Sequence, residues 1–111
     1  ICQPYSAISQ IAGSSGIKVI NEAFIDRRYQ SNGALVKRMI TDAVISSLDE
    51  KAKQAASITF EEKVMSENSE EIQIAADTLC IHSDHSESVE TAITIKEMLE
   101  KNQCEIKSYE F

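Results

Sequence analysis

The residues best suited to chemistry follow an apolar run in the second half of the chain. Residues 78–81 (TLCI) are typical of a strand buried on both faces, and His82 and Asp84 come directly after it. A histidine exchanges a proton near neutral pH, and a carboxylate can orient or assist it. In α/β proteins, sites form at the carboxyl ends of parallel strands, which makes His82 and Asp84 candidates for catalysis. The alternative is a solvated turn in which Asp84 or Ser86 caps the next helix.

A second charged stretch, residues 22–29 (EAFIDRRY), also follows a predicted strand. It brings two carboxylates, Glu22 and Asp26, close in sequence to two arginines. Arginine binds carboxylate or phosphate through paired hydrogen bonds, and a nearby carboxylate can hold that arginine or act as a base. The alternative is a cluster of surface ion pairs without a chemical role.

Length, composition and charge limit the class of protein. A chain of 111 residues is one domain at most, and 42% hydrophobic with 26% charged residues is ordinary for a globular domain. The 11 basic and 18 acidic residues give a net charge of −7, which repels phosphate backbones and anionic lipids. No apolar segment approaches the roughly 18 residues that a membrane span requires. We therefore expect a cytoplasmic protein that binds neither nucleic acid nor membranes.

The cysteines do not indicate a disulfide framework or a structural zinc site. Cys2, Cys80 and Cys104 are odd in number and far apart, without a Cys-x-x-Cys pair. We expect three reduced thiols, with Cys80 serving as a small buried hydrophobic residue between two aliphatic neighbours.

The elements that must position these residues alternate between strand and helix, which predicts an α/β fold with parallel crossovers. Ser47 begins a Ser-x-x-Glu capping box, and Asn102 is expected to end the last helix in the left-handed conformation. Apolar residues at helical spacing predict that helix's core face: Val89, Ala92, Ile93, Ile95, Met98 and Leu99. The predicted elements are a strand end at 1–2, a helix over 7–12 capped by Ser6, a strand over 17–23, a helix over 48–59, a hairpin of 63–65 and 72–74, a strand over 78–81, a helix over 86–101 and a strand over 105–109.

Three segments of the chain together resemble a known family. Residues 22–29 and 33–38 (GALVKR) resemble the Glu-x-Phe-x-Asp-Arg-x-Tyr and Gly-x-Leu-x-x-Arg segments of the 5-oxoprolinase A-subunit family, also called the LamB/YcsF or lactam-utilisation family. Residues 76–84 (ADTLCIHSD) resemble its Ala-Asp-Thr-x-Cys-x-His-Gly-Asp segment. The segments stand in the family's order, and the resemblance extends over residues 17–106.

The resemblance implies the carboxyl-terminal part of a deformed (β/α) barrel of the glycoside hydrolase/deacetylase type, with residues 1–111 as a single domain or fragment. It implies a role in the ATP-dependent opening of 5-oxo-L-proline to L-glutamate, together with 5-oxoprolinase subunits B and C. ATP would bind with Mg²⁺ as its counterion. Because the family's first half is absent, we expect these residues alone to be inactive.

The resemblance also implies roles for individual side chains. Arg27 or Arg38 would bind the substrate carboxylate or a phosphate. His82 or Asp84 would position or deprotonate a water, while Asp26 or Glu22 would orient the arginines or assist proton transfer.

The chain departs from the family pattern at three positions. Ser83 and Asp42 stand where the family has glycine, and Arg28 stands where it has a small residue. The side chain of Ser83 narrows the approach of a ligand to the backbone, which indicates that the site is altered even if the fold is retained.

Two further classes of function stay open on the sequence. A metal-dependent, deacetylase-like hydrolase would use His82, Asp84 or His85 with ligands from elsewhere. A non-catalytic association module, including a homo-oligomer, would use exposed sheet edges to bind a partner chain.

Overall fold

The computed structural model describes residues 1–109, and within them three helices and four short strands form the regular structure. The order of helices and strands confirms the predicted α/β class, and the helix between the two parallel strands lies on their crossover. The elements are α1 (Ala7–Ser14), β1 (Glu22–Phe24), α2 (Leu48–Glu61), β2 (Lys63–Met65), β3 (Glu71–Gln73), β4 (Thr78–Cys80) and α3 (Ser88–Lys101).

The strands form two separate two-stranded sheets. β1 pairs with β4 in parallel, and Phe24 lies opposite Cys80 in the register. β2 pairs with β3 in the predicted antiparallel hairpin, with Val64 opposite Ile72. Residues 1–109 contain no closed sheet, so the barrel stays a prediction.

Two of the helices begin at the predicted serine caps. The hydroxyl of Ser6 accepts a hydrogen bond from the amide of Ser9 at 3.2 Å, and that of Ser47 accepts one from Glu50 at 3.4 Å. Each serine satisfies an amide that the first helical turn leaves without a partner. No helix in residues 1–109 combines the length and the apolar character needed to cross a bilayer.

Two clusters of buried residues in the core meet at β4. Leu79 packs against both, so it joins the hairpin side of the protein to the helical side. The first cluster contains Ala23, Tyr29, Ile58, Val64 and Ile74, and the second contains Ile25, Ala55, Ile95 and Leu99.

Several predicted strands differ from the structure. β1 begins at Glu22, so most of the predicted strand over 17–23 is irregular, and residues 1–2 contribute one bridge, from Cys2 to Asn21. β4 is half-buried rather than buried on both faces. Residues 105–109 form no strand, because a strand requires a ladder partner and β4 pairs only with β1 in the described part of the chain.

The predicted core face of α3 is also partly wrong. Its buried residues are Thr91, Ile95 and Leu99, which repeat every four residues, whereas Val89 and Ile93 are 69% and 53% exposed. The apolar stripe is therefore wider than the line along which α3 packs. The helix ends without a left-handed residue at Asn102, whose φ is −94°; the next residue adopts that conformation instead.

Candidate functional site

The register of the parallel sheet brings Asp26 and His82 together. Phe24 and Cys80 are the last residues of β1 and β4 and lie opposite each other. Asp26 and His82 each follow two residues later, so they occupy equivalent places beyond the carboxyl ends of neighbouring strands. The pair therefore lies at the carboxyl ends of two parallel strands, which is the place where the sequence predicted a site.

The carboxylate of Asp26 holds His82 at three contacts. Both its oxygens lie 2.9 Å from Nδ1 of His82, and Oδ2 accepts the backbone N–H of His82 at 3.0 Å. Asp26 is only 2% exposed, so water competes little for these bonds. Because a carboxylate accepts hydrogen bonds, the arrangement places the histidine proton on Nδ1 and leaves Nε2 able to take a proton.

The ring of His82 is further fixed by an aromatic contact. It stacks on Phe24 with ring centroids 5.7 Å apart and planes 22° apart. The side chain of His82 remains 27% exposed. A histidine whose Nδ1 contacts a buried carboxylate, and whose side chain solvent still reaches, has the chemistry of a general base toward water.

The backbone around Asp26 is tied to a neighbouring loop segment. The carbonyl of Asp26 accepts the amide of Ile45 at 2.8 Å, and the amide of Arg28 donates to the carbonyl of Ala43 at 2.9 Å. The backbone at Asp26 and just after it is therefore held to residues 43–45.

Arg38 and Asp84 form an ion pair. Nη1 of Arg38 lies 3.0 Å from Oδ2 of Asp84, and the side chains are 51% and 58% exposed. The hydrogen bond from Arg38 lowers the pKa of Asp84 from its ordinary value. The pair joins two segments that the sequence singled out separately, and in this arrangement the two side chains bind each other.

Two further predicted site residues, Arg27 and Glu22, make their contacts away from the pair of Asp26 and His82. The guanidinium of Arg27 donates from Nη2 to the carbonyl of Val36 at 2.7 Å, and its Nε is buried without a hydrogen-bond partner in the described residues. Glu22 begins β1 and so lies at the opposite end of that strand from the pair of Asp26 and His82. Burial, then Glu22 and Asp26, raise the pKa of the Cys80 thiol, which favours the protonated state expected of an unreactive cysteine.

The described residues contain no group of three or more histidine, cysteine or acidic side chains placed to hold a metal ion. His82, Asp84 and His85 are therefore not arranged as a three-ligand site in residues 1–109. Nε2 of His85 is buried and lacks a hydrogen-bond partner there.

Tyr29 and Phe24 are site residues that reasoning from the sequence did not assign. The hydroxyl of Tyr29, which is fully buried, accepts the amide of Phe24 at 2.8 Å, and burial raises its pKa to about 12. Phe24 and Tyr29 lie in the same charged stretch as Asp26, and this could have indicated them from the sequence.

The fold and the site define an α/β protein with a histidine and carboxylate pair beyond the ends of two parallel strands. The LamB/YcsF family model matches residues 1–111, and the chain belongs to that family. The chain is similar to the 5-oxoprolinase A subunit of Staphylococcus haemolyticus, at 41% identity over 87% of this chain and 39% of that protein. The corresponding protein of Staphylococcus epidermidis is 42% identical over 84% of this chain and 37% of its own length.

A solved structure agrees with this assignment. The lactam utilization protein from Thermus thermophilus superimposes with a TM-score of 0.87 at 31% identity, covering 96% of this chain and 42% of that one. The chain thus spans about two fifths of the length of the relatives it matches.

Proposed function

We propose that this chain provides the water-activating part of a 5-oxoprolinase A subunit, which opens 5-oxo-L-proline to L-glutamate with ATP and the partner subunits B and C. The observation that carries the proposal is the buried Asp26 carboxylate, whose two oxygens lie 2.9 Å from Nδ1 of His82. Membership of the LamB/YcsF family and the relatives named as 5-oxoprolinase A subunits support it.

In this proposal the lactam is first activated by ATP, because a five-membered lactam resists hydrolysis near neutral pH. The amide oxygen takes the terminal phosphoryl group of ATP as ADP leaves, and the ring carbon becomes a better electrophile. Water attacks that carbon while Nε2 of His82 takes its proton. The ring C–N bond breaks as the nitrogen gains a proton, and a second water then splits the acyl phosphate into glutamate and phosphate.

The arginines would supply binding. Arg27 and Arg38 are the groups that we propose for the substrate carboxylate or a phosphate, with Mg²⁺ accompanying ATP. Arg38 would exchange or share its contact with Asp84, which is exposed enough to release it. Glu22 lies at the other end of β1, so the proposal gives it no step.

The test is ATP-dependent release of glutamate from 5-oxoproline by the full-length protein that contains residues 1–111, assembled with subunits B and C. We expect His82→Ala to lower kcat by about 10²- to 10⁴-fold, the usual contribution of a general base. Glu97→Ala, an exposed change on α3, is the control and should leave the rate unchanged. Full activity in the His82→Ala variant would contradict the proposal, and so would a parent protein that releases no glutamate.

A further inference from the structure

Gln54 contacts the backbone on both sides of Asp26. This residue lies in the middle of α2. Its Nε2 donates to the carbonyl of Phe24 and to the carbonyl of Arg27, each at 2.8 Å. One side-chain amide thus joins the last residue of β1 to the residue after Asp26.

The amide of glutamine suits this position because it has two N–H donors on one nitrogen. The backbone bends over residues 25–26 after β1 ends, and Gln54 gives one donor to the carbonyl on each side of this bend. A part-buried carbonyl that loses its donor costs free energy, which favours other conformations of the bend.

Gln54 is held in register by the rest of α2. One turn earlier, the carboxylate of Glu50 accepts a hydrogen bond from Arg28 at 2.7 Å. On the buried side of the helix, Ala55 and Ile58 pack into the two core clusters. These contacts fix the place of Gln54 relative to the segment that carries Asp26.

We propose that Gln54 is a positioning residue: it fixes the backbone around Asp26 so that the carboxylate meets Nδ1 of His82. Its effect on catalysis rests on the proposed function, whereas its effect on the pair of Asp26 and His82 does not.

The first test observes the Nδ1 proton of His82 directly by proton NMR, in the full-length protein that contains residues 1–111. Loss of a signal in His82→Ala assigns it, and His85 is the other histidine of these residues. Gln54→Met keeps the length of the side chain and removes both donors. We expect the Nδ1 proton to exchange with water about tenfold faster in Gln54→Met, as loss of a buried hydrogen bond predicts. Gln73→Met, an exposed substitution in β3, should leave the exchange rate unchanged.

The second test separates positioning from binding in the glutamate assay of the full-length protein. Gln54→Met should lower kcat about tenfold with little change in KM, because a misplaced base affects the transition state more than substrate binding. Gln54→Asn keeps the amide on a side chain one methylene shorter, so its kcat and exchange rate should lie between those of the parent and Gln54→Met. It also serves as the test variant if Gln54→Met does not fold.

The outcomes distinguish this inference from the proposed function. An Nδ1 proton that exchanges at the parent rate in both Gln54 variants would overturn the positioning role and leave the proposed function standing. A parent protein without a protected Nδ1 proton would show that the pair of Asp26 and His82 does not form. That result would refute both the positioning role and the proposed function. A protected proton that depends on Gln54, in a full-length protein that releases no glutamate, supports the positioning role and refutes the proposed function.

Discussion

At the scale of single residues, the proposed function makes Asp26 and His82 one unit. The buried carboxylate orients the imidazole through Nδ1, so we expect the loss of either residue to remove the contribution of both.

We expect Asp26→Asn and His82→Ala each to lower kcat, and the double variant to be no slower than His82→Ala. Residues that act as a unit give strongly non-additive losses. A double-mutant cycle on glutamate release by the assembled full-length protein measures this coupling. If the losses in kcat of the two single variants add up in the double variant, Asp26 does not act through His82.

Tyr29 makes stability depend on pH in the alkaline range. Its pKa is raised by burial to about 12, above the value of about 10 in an unfolded chain. The folded state keeps the proton longer, so this stabilisation is present below about pH 10 and is lost as the pH rises through about 12. In the parent, the free energy of unfolding should fall by roughly 2–3 kcal/mol through this titration, and Tyr29→Phe should remove that fall. Urea unfolding between about pH 9 and pH 12 measures it. Tyr5→Phe, at an exposed tyrosine, is the control and should not alter it.

Asp42 shows a local conflict between sequence and conformation. Its φ is +63°, in the left-handed region that favours glycine, which is the residue that the family resemblance leads us to expect here. We expect Asp42→Ala to lower the free energy of unfolding by about 1 kcal/mol and Asp42→Gly to leave it equal or higher. At Asp49, inside α2, glycine should instead be more damaging than alanine. Thermal unfolding of the four variants shows whether glycine or alanine is the more stable residue at each position.

At the scale of elements, α2 links core packing to the site. Ser47→Ala should lower the free energy of unfolding by about 1 kcal/mol, because it removes the cap on the amide of Glu50. Urea unfolding measures the loss. The neighbouring exposed Ser46→Ala is the matched control, and an equal loss in both would show that the cap contributes nothing.

The elements that the sequence predicted well depend on local interactions. The Ser6 and Ser47 caps and the antiparallel hairpin involve residues close in the chain, so their pattern is visible without the fold. The core face of α3 was predicted less well, because the periodicity shows which residues are apolar but not which of them find a neighbour.

At the scale of the whole molecule, two helices present apolar side chains to solvent. Ile8 and Ile11 of α1 are 70% and 66% exposed, and Val89 and Ile93 of α3 are 69% and 53% exposed. Exposed apolar surface of this kind favours association.

We expect the 111-residue chain to associate as its concentration rises, and Ile93→Lys to weaken that association. The change removes apolar surface and adds a charge, so less free energy is gained when this face is buried in an interface. Sedimentation velocity measures the change, with Glu97→Lys on the same helix as the charge control. Equal association of Ile93→Lys and the parent would exclude this part of α3 from the interface.

The sequence by itself determined the α/β class, the Ser6 and Ser47 caps, the hairpin and the two segments that carry Asp26 and His82. These follow from hydrophobic periodicity and from hydrogen bonds between neighbours in the chain. Only the tertiary structure decided that Asp26 binds His82, which is 56 residues away, and that Gln54 holds the backbone beside it. The physical reason is the parallel register of β1 and β4, which long-range packing sets and local sequence does not encode.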